Sequence, residues 1–177
     1  MYIWVGINVE DQLGEVRRAV DGVFEKIEIS NVTCQLPLHI SLKISFEIEN
    51  SLFGDVLDDI SRVYDACEPF EIKVKGIEKH ENIEWIRMYS NERVEALATE
   101  LNIMLREKYG IPLHEYDLDF VFHTTLFIDD DPEKINSAHS LLGNVHLPDT
   151  LVANTFVIGN SETGQNGTYR VYKTVGA

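Results

Sequence analysis

The hydrophobic and polar positions of this chain follow two periodicities, one typical of strands and one typical of helices. Apolar and β-branched runs, several of them alternating with polar residues, predict seven strands, at residues 2–9, 38–48, 70–76, 83–89, 119–128, 151–159 and 168–175. Apolar residues three and four positions apart predict four amphipathic helices, which begin near residues 11, 52, 91 and 131. Strands and helices are therefore mixed along the chain, and the predicted class is α+β.

The ends of three predicted helices carry residues that commonly cap or stop a helix. Asp11, Asn91 and Asp131 are the predicted N-caps, because a short polar side chain can accept hydrogen bonds from the first backbone N–H groups. Gly110 and Gly143 are expected to stop the helices that precede them. These signals set the predicted helix boundaries.

The order of the predicted elements repeats. A strand, a helix, a histidine-bearing strand and a second helix occur once in each half of the chain, although the two halves share few identical residues. We therefore expect residues 1–177 to form a single bilobal domain whose halves are related by an approximate two-fold axis. If the two sheets face each other, the two histidine-bearing strands share one groove.

Each of these two strands contains the motif His-x-Ser/Thr-Leu. Side chains of a strand alternate between its two faces, so His39 and Ser41 point the same way, as do His123 and Thr125. An imidazole titrates near neutral pH, and of two such groups one can remove a proton while the other delivers one. The neighbouring hydroxyls can donate hydrogen bonds to phosphoryl oxygens. This arrangement predicts acid–base chemistry on a phosphate ester.

The two motifs resemble the paired motifs of the 2H phosphoesterases, which include the 2′,5′ RNA ligase-like proteins and the cyclic nucleotide phosphodiesterases. The chain length, motif spacing and element order are also similar to that superfamily. The resemblance implies a bilobal α+β fold in which two antiparallel sheets with outer helices surround a central cleft. It also implies action on 2′,3′-cyclic phosphates or 2′,5′-phosphodiesters without a metal or cofactor.

By this resemblance His39 and His123 are the general acid and base, and Ser41 and Thr125 bind the phosphate. The sequence does not decide which histidine is the acid, nor whether the reaction runs towards hydrolysis or ligation.

Other residues are candidates for substrate contacts. Lys43 follows His39 and Ser41 on the same face, although an alternating lysine on a strand is more often solvated. Guanidinium groups suit phosphates and aromatic rings suit bases. The candidates on strands that could line the groove are Arg87, Arg170, Tyr169 and Tyr172, and for each of them an ordinary surface or core role is favoured.

Composition narrows the set of partners. The chain has 30 acidic and 15 basic residues, a formal charge of −15 that repels long nucleic acid. We expect the partner to be a small nucleotide or an oligonucleotide end with a cyclic or 2′,5′-linked phosphate. Only two cysteines are present and no apolar run is long enough to span a membrane, so a cytoplasmic monomer without membrane contact is expected.

Two alternative functions remain open. A non-catalytic binding protein could use the same cleft to hold a phosphorylated ligand. A metal-dependent hydrolase could be built on His114 and Asp117, although their spacing matches no HExxH motif.

Overall fold

The computed structural model describes residues 1–30, 33–118 and 120–176. The helices and strands in chain order are β1 (Tyr2–Asn8), α1 (Gly14–Phe24), β2 (His39–Glu47), α2 (Phe53–Asp65), β3 (Phe70–Lys79), β4 (Ile83–Met88), α3 (Glu92–Tyr109), α4 (Glu115–Leu118), β5 (His123–Ile128), α5 (Pro132–Leu142), β6 (Thr150–Ala153), β7 (Thr155–Ser161) and β8 (Arg170–Gly176). Short 3₁₀ helices, Glu10–Leu13 and Asn50–Leu52, precede α1 and α2.

The strands form two four-stranded antiparallel sheets, in the orders β2-β1-β7-β8 and β5-β4-β3-β6. The first sheet combines strands from both ends of the chain, because β1 pairs with β7. The second sheet lies between these ends in sequence, and it also joins distant segments, because β3 pairs with β6. Helices α2 and α3 pack together and contact the first sheet, whereas α1 packs on α5, which contacts the second sheet. The predicted α+β class and the two-sheet architecture with outer helices are confirmed.

The side chains of β1 alternate between the face of the sheet that packs in the hydrophobic core and the opposite face. Ile3, Val5 and Ile7 are fully buried in the hydrophobic core. Trp4 and Gly6 lie on the opposite face, because successive side chains of a strand point to opposite sides. The same alternation in β2 and β5 buries the residues that follow each histidine and leaves the two histidines half-buried.

Most predicted helix ends are observed. The Asn91 side chain accepts hydrogen bonds from two backbone N–H groups of α3, and Gly110 ends this helix in the left-handed region at φ 69°. Asp131 caps α5 and Gly143 ends it. The prediction for Asp11 was wrong, because Asp11 lies inside a 3₁₀ turn and Leu13 occupies the position before α1.

Two of the predicted strands differ most from the structure. The strand expected at residues 119–128 starts only at His123, and Asp119 lies outside the described residues. The strand expected at residues 151–159 is divided at Asn154 into β6 and β7, which belong to different sheets. An apolar run can pass from one sheet to the other without a change in its pattern, so periodicity does not reveal the crossing.

Among the described residues, no helix combines the length and the apolar character that a membrane crossing requires.

Candidate active site

The two histidines occupy equivalent positions in the two sheets. His39 is the first residue of β2 and His123 is the first residue of β5. These strands are the outermost strands of their sheets and contact each other. His123 is close enough to contribute, through its charge, to the lowered pKa of His39. The expected meeting of the two histidine-bearing strands is therefore found.

Both imidazoles are held in the same way. The His39 Nδ1 lies 2.8 Å from the backbone oxygen of Pro37, and the His123 Nδ1 lies 2.7 Å from the backbone oxygen of Val121. A carbonyl oxygen can only accept a hydrogen bond, so this geometry assigns the proton of each neutral ring to Nδ1. The Nε2 atom of each ring is then the basic nitrogen.

The segment that supplies the acceptor for His39 is itself fixed. The Leu38 backbone N–H donates to a Glu10 carboxylate oxygen at 2.6 Å, and the Arg17 guanidinium donates to the Leu36 carbonyl at 2.9 Å. Arg17 and Glu10 are also ion-paired at 2.8 Å. In the other half, the Met88 N–H donates to the Phe122 carbonyl at 2.9 Å. Hydrogen bonds therefore restrain the backbone immediately before each histidine.

A tryptophan packs against each histidine. The Trp4 and His39 ring centroids are 4.3 Å apart, and those of Trp85 and His123 are 4.4 Å apart. Trp4 lies on β1 and Trp85 on β4, the strands that pair with β2 and β5. Neither tryptophan was predicted from the sequence as a site residue. One feature of the sequence could have indicated them. Each tryptophan lies in the first strand of one of the two repeated blocks of elements.

Two glycines make room for one of these stacks. A Cβ on Gly6 would lie 2.7 Å from the Ile40 carbonyl oxygen and 3.1 Å from the His39 ring. A Cβ on Gly159 would overlap the Trp4 indole. Any larger side chain at these positions would displace the tryptophan or the imidazole, so the glycines are part of the local architecture.

Burial is the largest cause of the lowered pKa of both imidazoles. It lowers the pKa of His39 to about 4, and the charge of His123 adds to this effect. Burial also lowers the pKa of His123, with a further contribution from the Arg87 guanidinium. In both cases the backbone carbonyl acts in the opposite direction. Both imidazoles are therefore neutral at pH 7 in the free protein.

This titration predicts that the protein loses stability in mild acid. The ordinary histidine pKa of 6.5 applies to the unfolded chain and about 4 applies to folded His39, so the folded state binds fewer protons between these values. Above pH 6.5 the titration of His39 leaves the free energy of unfolding unchanged. As the pH falls from 6.5 towards 4, the unfolded chain takes up the proton first, and the free energy of unfolding decreases by up to about 3 kcal/mol. Urea unfolding across this range should show a shallower pH dependence for His39→Asn than for wild type. An equally steep dependence in both proteins would contradict the assignment.

The hydroxyls of the two motifs accompany the histidines. Ser41 and Thr125 are half-buried, as are the histidines two positions earlier. Ser41 lies opposite Gly6 in the ladder between β1 and β2, and Thr125 lies opposite Trp85 in the ladder between β4 and β5. Each half therefore places an imidazole, a hydroxyl and an indole on neighbouring strands.

The arginine candidates lie near the histidine strands. Arg87 is directly opposite His123 in the β4–β5 ladder, and its Nη1 is 3.4 Å from Glu78 Oε2. Arg170 donates to the side-chain oxygen of Gln35 at 3.0 Å, in the segment that leads to His39. Both guanidinium groups are at least partly exposed.

The tyrosine candidates make contacts away from the histidine motifs. Tyr172 is 53% exposed and packs edge-on against Phe53 of α2, with ring centroids 5.1 Å apart. The hydroxyl of Tyr169 hydrogen-bonds to Ser45 and to the Gly164 backbone oxygen.

Lys43 is not solvated, so that expectation was wrong. Its side chain is 2% exposed and its ammonium forms an ion pair with Asp117, whose side chain has no exposed surface. The ammonium also donates to the Pro112 backbone oxygen at 3.2 Å. The ladder between β1 and β2 is irregular on both sides of Val5, the partner of Lys43, so simple alternation is not a reliable guide there.

His114 and Asp117, the residues of the alternative metal-dependent hydrolase, are joined by a hydrogen bond from a backbone N–H group to a side-chain oxygen. The His114 N–H donates to Asp117 Oδ2 at 2.7 Å, the same oxygen that Lys43 contacts. Within the described ranges, no three histidine, cysteine or acidic side chains come together as a metal site.

No protein-family model and no curated protein matches this chain. Solved structures do match it over nearly its whole length. TT0787 of Thermus thermophilus is 17% identical with a TM-score of 0.64, and the match covers 99% of this chain and 97% of that one. E. coli LigT, solved with 3′-AMP, is 15% identical with a TM-score of 0.60 and coverages of 98% and 96%. A structure described as a phosphoesterase is 14% identical with a TM-score of 0.56, and the match covers 98% of this chain and 96% of that one.

These similarities establish the fold. The chain has the bilobal α+β fold of LigT, and this is the fold that the resemblance of the two histidine motifs implied. At 14–17% identity, the activity has to be argued from the site itself.

Proposed function

We propose that this protein is a metal-independent phosphoesterase that acts on 2′,3′-cyclic phosphate or 2′,5′-phosphodiester bonds of nucleotides or RNA ends. The observation that carries the proposal is the equivalent setting of the two imidazoles. Each starts an edge strand, each is bonded through Nδ1 to the carbonyl two residues earlier, and each stacks on a tryptophan. Two basic Nε2 atoms on meeting strands are the groups that a paired acid and base require.

In the proposed reaction, the Nε2 of one histidine removes a proton from the attacking water as its oxygen bonds to phosphorus. The Nε2 of the other histidine carries a proton and delivers it to the ribose oxygen as the bond between that oxygen and phosphorus breaks. The hydroxyls of Ser41 and Thr125 donate hydrogen bonds to the non-bridging oxygens, where charge accumulates. Proton number and charge balance, because one imidazole gains the proton that the other loses.

The neutral state of both imidazoles in the free protein bears on this scheme. One ring must gain a proton before it can act as the acid. A phosphodiester anion placed between the rings favours the charged form of the nearer imidazole and raises its pKa. Substrate binding and proton uptake are therefore coupled, and kcat/KM should increase as the pH falls below 7 until the base is also protonated.

The proposed substrate is a small nucleotide or an oligonucleotide end. E. coli LigT, which shares this fold, has been solved with 3′-AMP, with ATP and with phosphate. In this chain, cations near the two motifs are Arg87, opposite His123, and Arg170, bonded to Gln35. The net charge of −15 disfavours a long polyanion, whereas two local guanidinium groups suit one or two phosphates.

The test is a product assay with the wild-type protein in excess EDTA. The substrates are the four 2′,3′-cyclic nucleotides and a 2′,5′-linked dinucleotide, and the products are separated by chromatography to identify 2′- and 3′-monophosphates. We expect turnover that EDTA does not reduce. No turnover on any of these substrates, or turnover that EDTA abolishes and a divalent metal restores, would overturn the proposal.

A further inference from the structure

The residues that lie opposite the two histidines differ in charge. Arg87 is the partner of His123 in the ladder between β4 and β5, whereas Asn8 is the partner of His39 in the ladder between β1 and β2. Directly paired residues of an antiparallel ladder point to the same face of the sheet, with Cβ atoms about 5 Å apart. Arg87 and His80 are also close enough to His123 for their charges to lower its pKa. The ladders therefore place a cation beside His123 and a neutral amide beside His39.

Three basic side chains lie within 4 Å of the Glu78 carboxylate on this wall. Lys75 Nζ donates to Glu78 Oε1 at 2.8 Å, and Glu78 Oε2 lies 3.4 Å from Arg87 Nη1 and 3.9 Å from His80 Nε2. Glu78 is the ladder partner of Trp85, and His80 packs on the Trp85 indole with ring centroids 4.5 Å apart. We call Lys75, His80 and Arg87 the basic cluster.

The basic cluster is accessible, and its positive charge exceeds that of its counterion. The side chains of Lys75, His80 and Arg87 are 46%, 49% and 32% exposed, so a ligand can reach all three. Lys75 and Arg87 carry two positive charges against the one negative charge of Glu78, and a protonated His80 adds a third. The chain as a whole has a formal charge of −15, which repels anions. A grouping of cations beside His123 is therefore a local exception that suits a small anion.

Arg87 is the least engaged of the guanidinium groups near the two motifs. Within the described ranges it makes one hydrogen bond, the one to Glu78 at 3.4 Å, which is longer than usual. Arg17 donates to both carboxylate oxygens of Glu10, at 2.8 and 2.9 Å, and the Nη1 of Arg170 contacts three oxygens. A guanidinium has five N–H donors, so Arg87 retains donors for a ligand.

The position of the basic cluster determines which anion it can hold. β4 separates Glu78 on β3 from His123 on β5, and neighbouring strands lie about 5 Å apart, so Glu78 is roughly 10 Å from His123. Arg87 reaches from β4 towards Glu78, on the side away from His39. The scissile phosphate has to lie between the two imidazoles. A second phosphate, about one nucleotide away, is the group that Arg87 can reach.

We propose that Arg87, together with Lys75 and His80, binds a second phosphate of the substrate and makes the protein selective for nucleotides or RNA ends that carry one. This inference rests on the proposed phosphoesterase function. The second phosphate is either the 5′-phosphate of the same nucleotide or the preceding phosphodiester of an RNA end, two sources with the same chemistry. A guanidinium can donate to two phosphate oxygens at once, which suits Arg87 to this role.

The test measures binding, so it does not depend on turnover. Isothermal titration calorimetry in EDTA, at fixed ionic strength, compares adenosine 3′-phosphate, adenosine 3′,5′-bisphosphate and the dinucleotide ApAp, which has one internal phosphodiester and a 3′-phosphate. We expect one of the two ligands with a second phosphate to bind at least about 10-fold more tightly than adenosine 3′-phosphate. The ligand that shows this gain identifies the source of the second phosphate.

Variants decide whether the basic cluster is responsible for the gain. Arg87→Gln removes the cation and should reduce the gain to less than about twofold, and Arg87→Lys, which keeps the charge without the planar donor pair, should retain part of it. Glu78→Gln removes the competing carboxylate and should increase the gain. Arg18→Gln removes the same charge from an exposed position on α1 and should keep the wild-type gain. If Arg87→Gln does not fold, Lys75→Gln at its exposed position makes the same test and should also reduce the gain.

The outcomes separate this inference from the proposed reaction. No gain in the wild type, a gain that persists in folded Arg87→Gln, or a gain that Arg18→Gln removes equally would overturn the second-phosphate site. A wild-type protein that shows the gain but turns over no cyclic nucleotide would overturn the proposed reaction and leave this site standing. Turnover of cyclic nucleotides without any gain would have the opposite meaning.

Discussion

Replacing His39 or His123 by asparagine should lower kcat on the best substrate by about 10²–10⁴-fold, the usual contribution of a general acid or base. An asparagine side chain can still donate to the carbonyl of Pro37 or Val121, which now accepts from Nδ1. It has no nitrogen that titrates near neutral pH, so the proton transfers are lost while the local backbone is kept. Steady-state kinetics in EDTA measures the effect, and urea unfolding checks that each variant is folded.

The double variant gives a further test of this prediction. Residues that act as one unit are not additive, so His39→Asn/His123→Asn should be only slightly slower than the slower single variant. His146→Asn changes an exposed histidine and should keep wild-type turnover. Turnover within about threefold of wild type in either active-site variant would contradict the two-histidine mechanism. A wild-type protein that binds cyclic nucleotides tightly without turnover would instead favour the binding-protein alternative.

Replacing Lys43 by methionine should lower the free energy of unfolding by about 3–5 kcal/mol, because it leaves the Asp117 carboxylate buried without its cation. Both side chains are almost fully buried, at 2% and 0% exposure, so water cannot replace the lost partner. Methionine has a similar length and fills the space of the lysine stem. Urea unfolding at pH 7 with a common m value measures the loss.

Two comparisons separate the buried charge from other effects of this substitution. Lys75→Met removes the lysine of an ion pair in which the lysine is 46% exposed, and it should cost less than about 1 kcal/mol. The double variant Lys43→Met/Asp117→Leu removes both charges and should recover much of the lost stability. If Lys43→Met costs no more than Lys75→Met, the ion pair does not stabilise the connection between α3 and β5 as the structure indicates.

Much of the fold could be predicted from neighbouring residues. The α+β class, the repeated element order and the caps at Asn91 and Asp131 depend on interactions within one turn or one strand, which periodicity and side-chain type reveal. The pairing of β1 with β7 and the division of the run at Asn154 were not predictable in this way. They depend on contacts between residues far apart in the chain.

The candidate site also combines features that the local sequence predicts with features that depend on distant contacts. Two imidazoles and two hydroxyls could be selected from the order of residues alone, because strand alternation places His39 with Ser41 and His123 with Thr125. The bilobal fold was also predictable, through the resemblance carried by these motifs.

The surroundings of these groups depend on the folded chain. The tryptophans lie beside the histidines because β1 and β4 pair with the histidine strands. The sequence of one strand does not reveal which residues of another strand will lie opposite it. Alternation predicted a Lys43 side chain that is either solvated or directed into the groove, whereas the structure pairs it with Asp117, 74 positions away. Burial, which lowers the pKa of both imidazoles, also depends on the packing of the whole chain. Local periodicity determines which face a side chain takes, and long-range packing determines its charge partner and its exposure.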